Sequence, residues 1–265
     1  MDKRFSTIPE PLWKKLQLLI PPPPPRRSRR GRPRNDDRAV MGGIIYRLRT
    51  GCQWRAIPRE FGSGQTCHRR FQEWERQGVF EQLFVCMLRY YDHRRGIQWK
   101  WGALDAVIVK APKGGIFTGP NPTDRAKCGT KRHVLTDGRG VPLSVVLSGA
   151  NVHDKWSLAP TLDAVVLKCG RGVRRTKHCC LDKGYAFRDC DAAVRARGIT
   201  PHIRQKGEPP LVGRAHGKPR RWVVERTNSW HNRFRSLLIR WEVKARNYRA
   251  LVYLASALIA HQQSR

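Results

Sequence analysis

From Ile8 to Ile20 the chain sets Leu12, Leu16 and Leu19 four and three positions apart among polar residues, a spacing that predicts a short amphipathic helix. Pro21 to Asp36 then reads PPPPPRRSRRGRPRND, a stiff polyproline spacer and basic tether with no apolar side chains to bury. In RAVMGGIIYRLRTG, Ile44, Ile45 and Leu48 form an apolar stripe, Asp36 or Asp37 is placed to cap it, and Gly51 stops it. Two more helical stretches follow, QTCHRRFQEWERQ and VFEQLFVCMLRYYD. Short helices with a glycine-containing turn and a basic penultimate helix (His68, Arg69, Arg70) suit a helix-turn-helix-like unit; a plain helical bundle is the alternative.

The period changes at Gly102. ALDAVIVKA reads as a strand, and KRHVLTDGRGVPLSVVLSGA as two strands joined by a turn at Asp137-Gly138. The pattern next gives a helix (WSLAPTLDAVVLK, with Asp154 as its cap), a strand from Lys177 to Leu181, a helix (AFRDCDAAVRARG) and a strand at ITPHIR. A long helical tract is expected from about Pro219 to Gln262. The sum is an α/β arrangement: a helical part over residues 1–95, with its basic linker at 21–35, then a mixed sheet with helices over 96–265.

Charge turns this outline toward a partner. The 265 residues carry 53 Lys and Arg against 20 Asp and Glu, a net charge of +33. A field of that sign and size suits a polyanion, and nucleic acid is the usual one. No apolar run reaches the roughly 18 residues of a membrane span, and the N-terminus has no signal-peptide core, so a cytoplasmic, nucleoid-associated protein is expected. The eight cysteines include no CxxC pair. Cys179 and Cys180 read as buried thiols, with a zinc site from His178, Cys180 and Cys190 as the alternative.

Three of the few acids stand apart. Asp105 interrupts an apolar strand, where a carboxylate is costly unless paired or bound to a cation. Asp182 closes another strand, at the end where α/β sheets present ligand-binding groups. Glu225 is the lone acid between Glu208 and Glu242, within RRWVVERTNSWHNRFRSLLIRW. Each alone is explained by a salt bridge. Together they match what phosphodiester chemistry needs: hard carboxylate oxygens for Mg²⁺ inside a protein whose cations hold the backbone. On a continuous helix Arg221, Glu225, Asn228, Asn232 and Arg235 share one stripe, while Val223, Trp230, Phe234, Leu237 and Trp241 lie on another that can pack on the sheet.

These segments resemble bacterial insertion-sequence transposases of the DDE type, in the group named for insertion sequence five. MGGIIYRLRTGCQWRAIP, with GRPR before it, resembles the N-terminal signature. GPNPTDRAKCGTKRHVLTDGRGVPL, SGANVHD, LDKGY and RWVVERTNSW resemble the later blocks, in order and over nearly the whole chain. The resemblance implies a ribonuclease-H-like catalytic domain in which Asp105, Asp182 and Glu225 bind Mg²⁺, with Mn²⁺ as a substitute. It also implies hydrolysis at the element ends followed by attack of the freed 3′-OH groups on target DNA. Family members carry a Tyr-Arg-Glu-Lys pattern around the glutamate. Arg221 matches the arginine, but Lys218 stands at the tyrosine position and Asn232 at the lysine position; Arg233 or Arg235 is the candidate replacement cation.

Further DNA contacts are expected from Lys127, Lys131 and Arg132, from Arg69 and Arg70, and from Arg30 and Arg32 in an RGRPR stretch suited to a narrow minor groove. His153 and Asp154 are secondary candidates, and Trp222, Trp230 and Trp241 are expected in the core. The reading is a DDE transposase that binds terminal inverted repeats through residues 1 to about 95 and works as a homodimer or larger synaptic assembly. A metal-dependent nuclease of the same fold, and a DNA-binding protein that has lost catalysis, are the rivals.

Overall fold

A computed structural model describes residues 7–22, 33–167, 176–203 and 222–265. Its first helices follow the apolar pattern: α1 (Glu10–Leu16), α2 (Asp37–Thr50), α3 (Gly64–Arg76) and α4 (Val79–Arg95). Asp36 caps α2 by accepting from the Ala39 N–H at 2.8 Å. Gly51 ends α2 in the left-handed region at φ 72°, a conformation that glycine adopts without steric cost. The tight turn falls between α3 and α4, where Gly78 has φ 73°.

The sheet contains β1 (Trp101–Lys110), β2 (Gly119–Pro120), β3 (Cys128–Asp137), β4 (Pro142–Gly149), β5 (His178–Leu181) and β6 (Thr200–Ile203). Among the described residues its order is β4-β3-β1-β5-β6, with the short β2 pairing antiparallel with the start of β3. β1, β3 and β4 are antiparallel neighbours, whereas β5 and β6 run parallel to β1. This is the expected ribonuclease-H-like mixed sheet. The turn after β3 is held by Asp137, whose carboxylate accepts from Tyr91 Oη and from the N–H groups of Gln98, Arg139 and Val141.

Helices α5 (Lys155–Asp163) and α6 (Arg188–Arg195) flank the sheet. Two expectations change here. Asp154 precedes α5 but its side chain makes no cap bond; it pairs with Lys131 at 2.8 Å instead. The C-terminal tract is not one helix. It divides into α7 (Trp222–Asn232), a 3₁₀ turn at Arg235–Leu237, an extended stretch and α8 (Ala245–Gln263). Tertiary contacts override the helical pattern: Ser236 Oγ donates to the Arg47 carbonyl, and Ile239 bridges Lys110 at the end of β1. Arg240 is buried and donates to the carbonyls of Ile116, Glu242 and Val243.

α8 packs along α4, with Phe84 against Tyr253 and Tyr90 against His261, and also meets β4. One cluster of buried apolar residues therefore runs from Ile8 to Ala260, joining the helical part to the sheet. Among the described residues no helix is long and apolar enough to cross a membrane.

Candidate active site

The last in-register pair between β1 and β5 is Leu104 with Leu181. Asp105 and Asp182 come next on their strands. Asp182 keeps extended backbone (φ −75°, ψ 165°), so side chains continue to alternate and both aspartates emerge on the same face, one strand spacing of about 4.8 Å apart. Two residues earlier on that face lie Ala103 and Cys180, which pack against Val223 and Val224 of α7. The helix bearing Glu225 thus covers the sheet one step from the aspartate pair.

Local backbone orients both acids. Asp105 Oδ1 accepts from the Ala106 N–H at 2.8 Å, and Asp182 Oδ1 from the Lys183 N–H at 2.6 Å. Both are half-buried, while Glu225 is exposed. As a donor set the three carboxylates offer hard oxygens with no thiolate or imidazole, which suits Mg²⁺ or Mn²⁺ over softer ions. Among the described residues no three His, Cys, Asp or Glu side chains are gathered closely enough to hold an ion.

The buried face of α7 is Val223, Val224, Thr227, Asn228 and His231. This corrects the expected stripes. Trp222 and Trp241 are 49% and 47% exposed, Trp230 is half-buried, and Arg235 lies beyond the helix. Arg226 lies between the rings of Trp222 and Trp230, at 4.7 and 4.9 Å from their centroids.

Several expected phosphate contacts turn inward. Arg70 is buried and ion-paired with Asp37. Lys131 is buried and donates to the Val152 carbonyl at 2.7 Å as well as pairing with Asp154. Arg132 is fully buried on β3, and its Nη2 comes within 3.5 Å of Asn232 Oδ1. A cation does stand beside Asn232, therefore, but it comes from the sheet. Arg69, Lys127, Asn232, Arg233 and Arg235 are exposed. Arg30, Arg32 and Arg221 lie outside the described residues.

His153 packs edge-on against Phe187, and its Nδ1 accepts from the Lys155 N–H at 3.3 Å. Sequence reasoning missed Tyr185, in LDKGY. Its hydroxyl is buried without a hydrogen-bond partner among the described residues, and burial, then the charges of Asp154 and Asp105, push its pKa upward. Cys179 and Cys180 are buried and form no disulfide among the described residues, and burial likewise raises the Cys179 pKa.

Fold and site define a ribonuclease-H-like protein with acids on β1, after β5 and on α7. Residues 101–260 match the family described as "Transposase DDE domain", and residues 8–84 match "Putative transposase of IS4/5 family". The chain belongs to this transposase family. It is 43% identical over 145 residues to the "Putative transposase for insertion sequence element IS402" of Burkholderia cepacia, covering 54% of this chain and 67% of that protein. It is also 36% identical over 118 residues to the "Insertion element IS402 uncharacterized 16.2 kDa protein" of the same species, covering 43% and 80%.

Proposed function

We infer that the chain is an active DNA transposase that binds the terminal inverted repeats of its element and performs cleavage and strand transfer. The observation that carries this reading is the side-by-side placement of Asp105 and Asp182 at the ends of paired strands, one step from the helix that bears Glu225. Those three residues would hold divalent cations, Mg²⁺ or in its place Mn²⁺. When bound, such ions activate a water or 3′-hydroxyl and stabilise the departing oxygen.

The protein's own groups supply the rest. The helical part, residues 1 to about 95, is the end-binding region, with Arg69 on its exposed surface. Lys127, Arg233 and Arg235 offer cations to backbone phosphates, and Asn232 an amide. Arg132, buried beneath Asn232, orients that amide rather than touching DNA. Paired strand transfer needs both ends held together, so the working unit is a homodimer or larger synaptic assembly.

A strand-transfer assay in Mg²⁺ with end-bearing oligonucleotides tests the reading. Joined products support the transposase. Cleavage without joining would favour a nuclease, and binding without cleavage a DNA-binding protein that has lost catalysis.

A further inference from the structure

Away from the acids, a cavity of about 600 Å³ opens between α2, α3 and the segment leading into α8. Its volume falls within the range of roughly 300–1,000 Å³ typical of small-ligand sites. Arg55, Lys113 and Lys244 line it and are held in no ion pair among the described residues. Arg47 also lines it, but its charge is matched by Glu242 at 2.7 Å. The wall is therefore net cationic and selects an anion.

A second set of features asks for more than a phosphate. Trp241 stands on the rim with its side chain 47% exposed. Trp54 forms a fixed wall, because the Arg47 guanidinium lies 4.4 Å from its ring and the His68 ring 4.7 Å from it. Asn247, 6% exposed, also lines the cavity, and neither its Oδ1 nor Glu242 Oε2 has a hydrogen-bond donor among the described residues. The exposed Trp241 ring offers a stacking face that a bare phosphate cannot use and a nucleobase can. Burial, then Arg47 and Lys244, lower the pKa of His68 at the same wall, in line with a positive field.

We propose that this cavity binds a single unpaired nucleotide, its base stacked on Trp241 and its phosphate held by Lys113 and Lys244. Aromatic stacking and a cationic rim are the combination by which single-stranded nucleic acid is held without sequence readout. The site is separate from the acids. Its Trp241–Lys244 wall follows Ile239, which bridges Lys110, and Lys110 lies five residues along β1 from Asp105, about 17 Å at strand rise. The nucleotide held here is thus not the one at the acids, and a strand running between them would have a displaced base as a second anchor. That role rests on the DNA-binding reading above; the chemistry of the cavity would equally admit a free nucleotide.

The test uses the full chain, a fully paired duplex and the same duplex with a one-nucleotide bulge, read by fluorescence anisotropy. The wild type should prefer the bulged duplex roughly tenfold. Trp241→Ala should abolish the preference without changing affinity for the paired duplex, and Trp241→Phe should keep most of it; circular dichroism checks that both variants are folded. Equal binding of the two duplexes by the wild type, or a preference that survives in Trp241→Ala, overturns the proposal while leaving DNA binding intact. If neither duplex binds, the DNA-binding reading itself fails, and titration with dAMP and dGMP decides the cavity. Trp241-dependent binding supports a free-nucleotide site, and its absence overturns the assignment.

Discussion

Asp105 and Asp182 are neighbours because Leu104 and Leu181 form the last in-register pair of two parallel strands. Each carboxylate has one oxygen anchored by a main-chain N–H, so neither position depends on a long flexible side chain. Asp105→Asn and Asp182→Asn retain those bonds while losing the charge. Both variants should fold as the wild type does and lose cleavage by roughly three orders of magnitude or more, the scale of removing a member of a catalytic set. Wild-type cleavage by either would remove it from the site.

Glu225 differs from the pair in being exposed on α7. Glu225→Gln removes one negative charge near the path proposed for phosphate. It should abolish cleavage and leave DNA binding equal or tighter, measured by gel shift alongside the cleavage assay. A variant that cuts as well as the wild type would mean that Glu225 is only a surface acid.

Much of this was legible in the chain because it depends on local pattern. The stop at Gly51, the Asp137-Gly138 turn and the strand around Asp105 all follow from residue types within a few positions. The break after Asn232 does not. It depends on Ser236 reaching Arg47 and on Arg240 reaching carbonyls more than a hundred residues away in sequence. The inward turn of Arg70 and Lys131 was hidden for the same reason, since their carboxylate partners, Asp37 and Asp154, are distant in sequence. The acids were visible because a carboxylate in an apolar strand is conspicuous; the buried Tyr185 hydroxyl in LDKGY had no such contrast.

Exposed and buried cations should separate in solution. Replacing Arg69, Lys127, Arg233 or Arg235 by Ala should weaken DNA binding and lower the slope of log K against log salt by about 0.9 for each phosphate that is no longer neutralised. Arg70→Ala and Arg132→Ala should instead lower Tm, because they remove buried groups. Thermal melts and salt titrations on the same six variants check the division, and an unchanged slope throughout the exposed set would contradict it.

Arg47 and Glu242 join α2 to the segment before α8 through an ion pair whose side chains are 6% and 7% exposed. Glu242→Ala would leave the guanidinium buried without its carboxylate, at a cost of about 3–5 kcal/mol. The double variant Arg47→Met with Glu242→Leu removes both charges and should recover much of the lost stability. Chemical denaturation measures this; a Glu242→Ala variant as stable as the wild type would show that the pair does not tie the two parts together.

Two buried histidines give stability a definite pH dependence. His133 is bonded to Ser148 Oγ at 2.7 Å. Burial pushes its pKa down to about 4, with Asp154 pulling the other way and Lys131 adding to the drop. His231, bonded to Ser256 Oγ at 3.0 Å, is pushed well below the usual range by burial and by Arg132. As pH falls below an unfolded-state pKa of about 6.5, the unfolded chain takes up protons that the folded chain refuses. Stability is therefore full above that pKa and is lost as pH falls toward about 4, on the order of 3 kcal/mol for His133 alone. Tm measured from pH 7.5 to 4.5 should decline, and less steeply in His133→Gln, which has no imidazole to protonate. An identical slope in wild type and variant would show that His133 is not the group responsible.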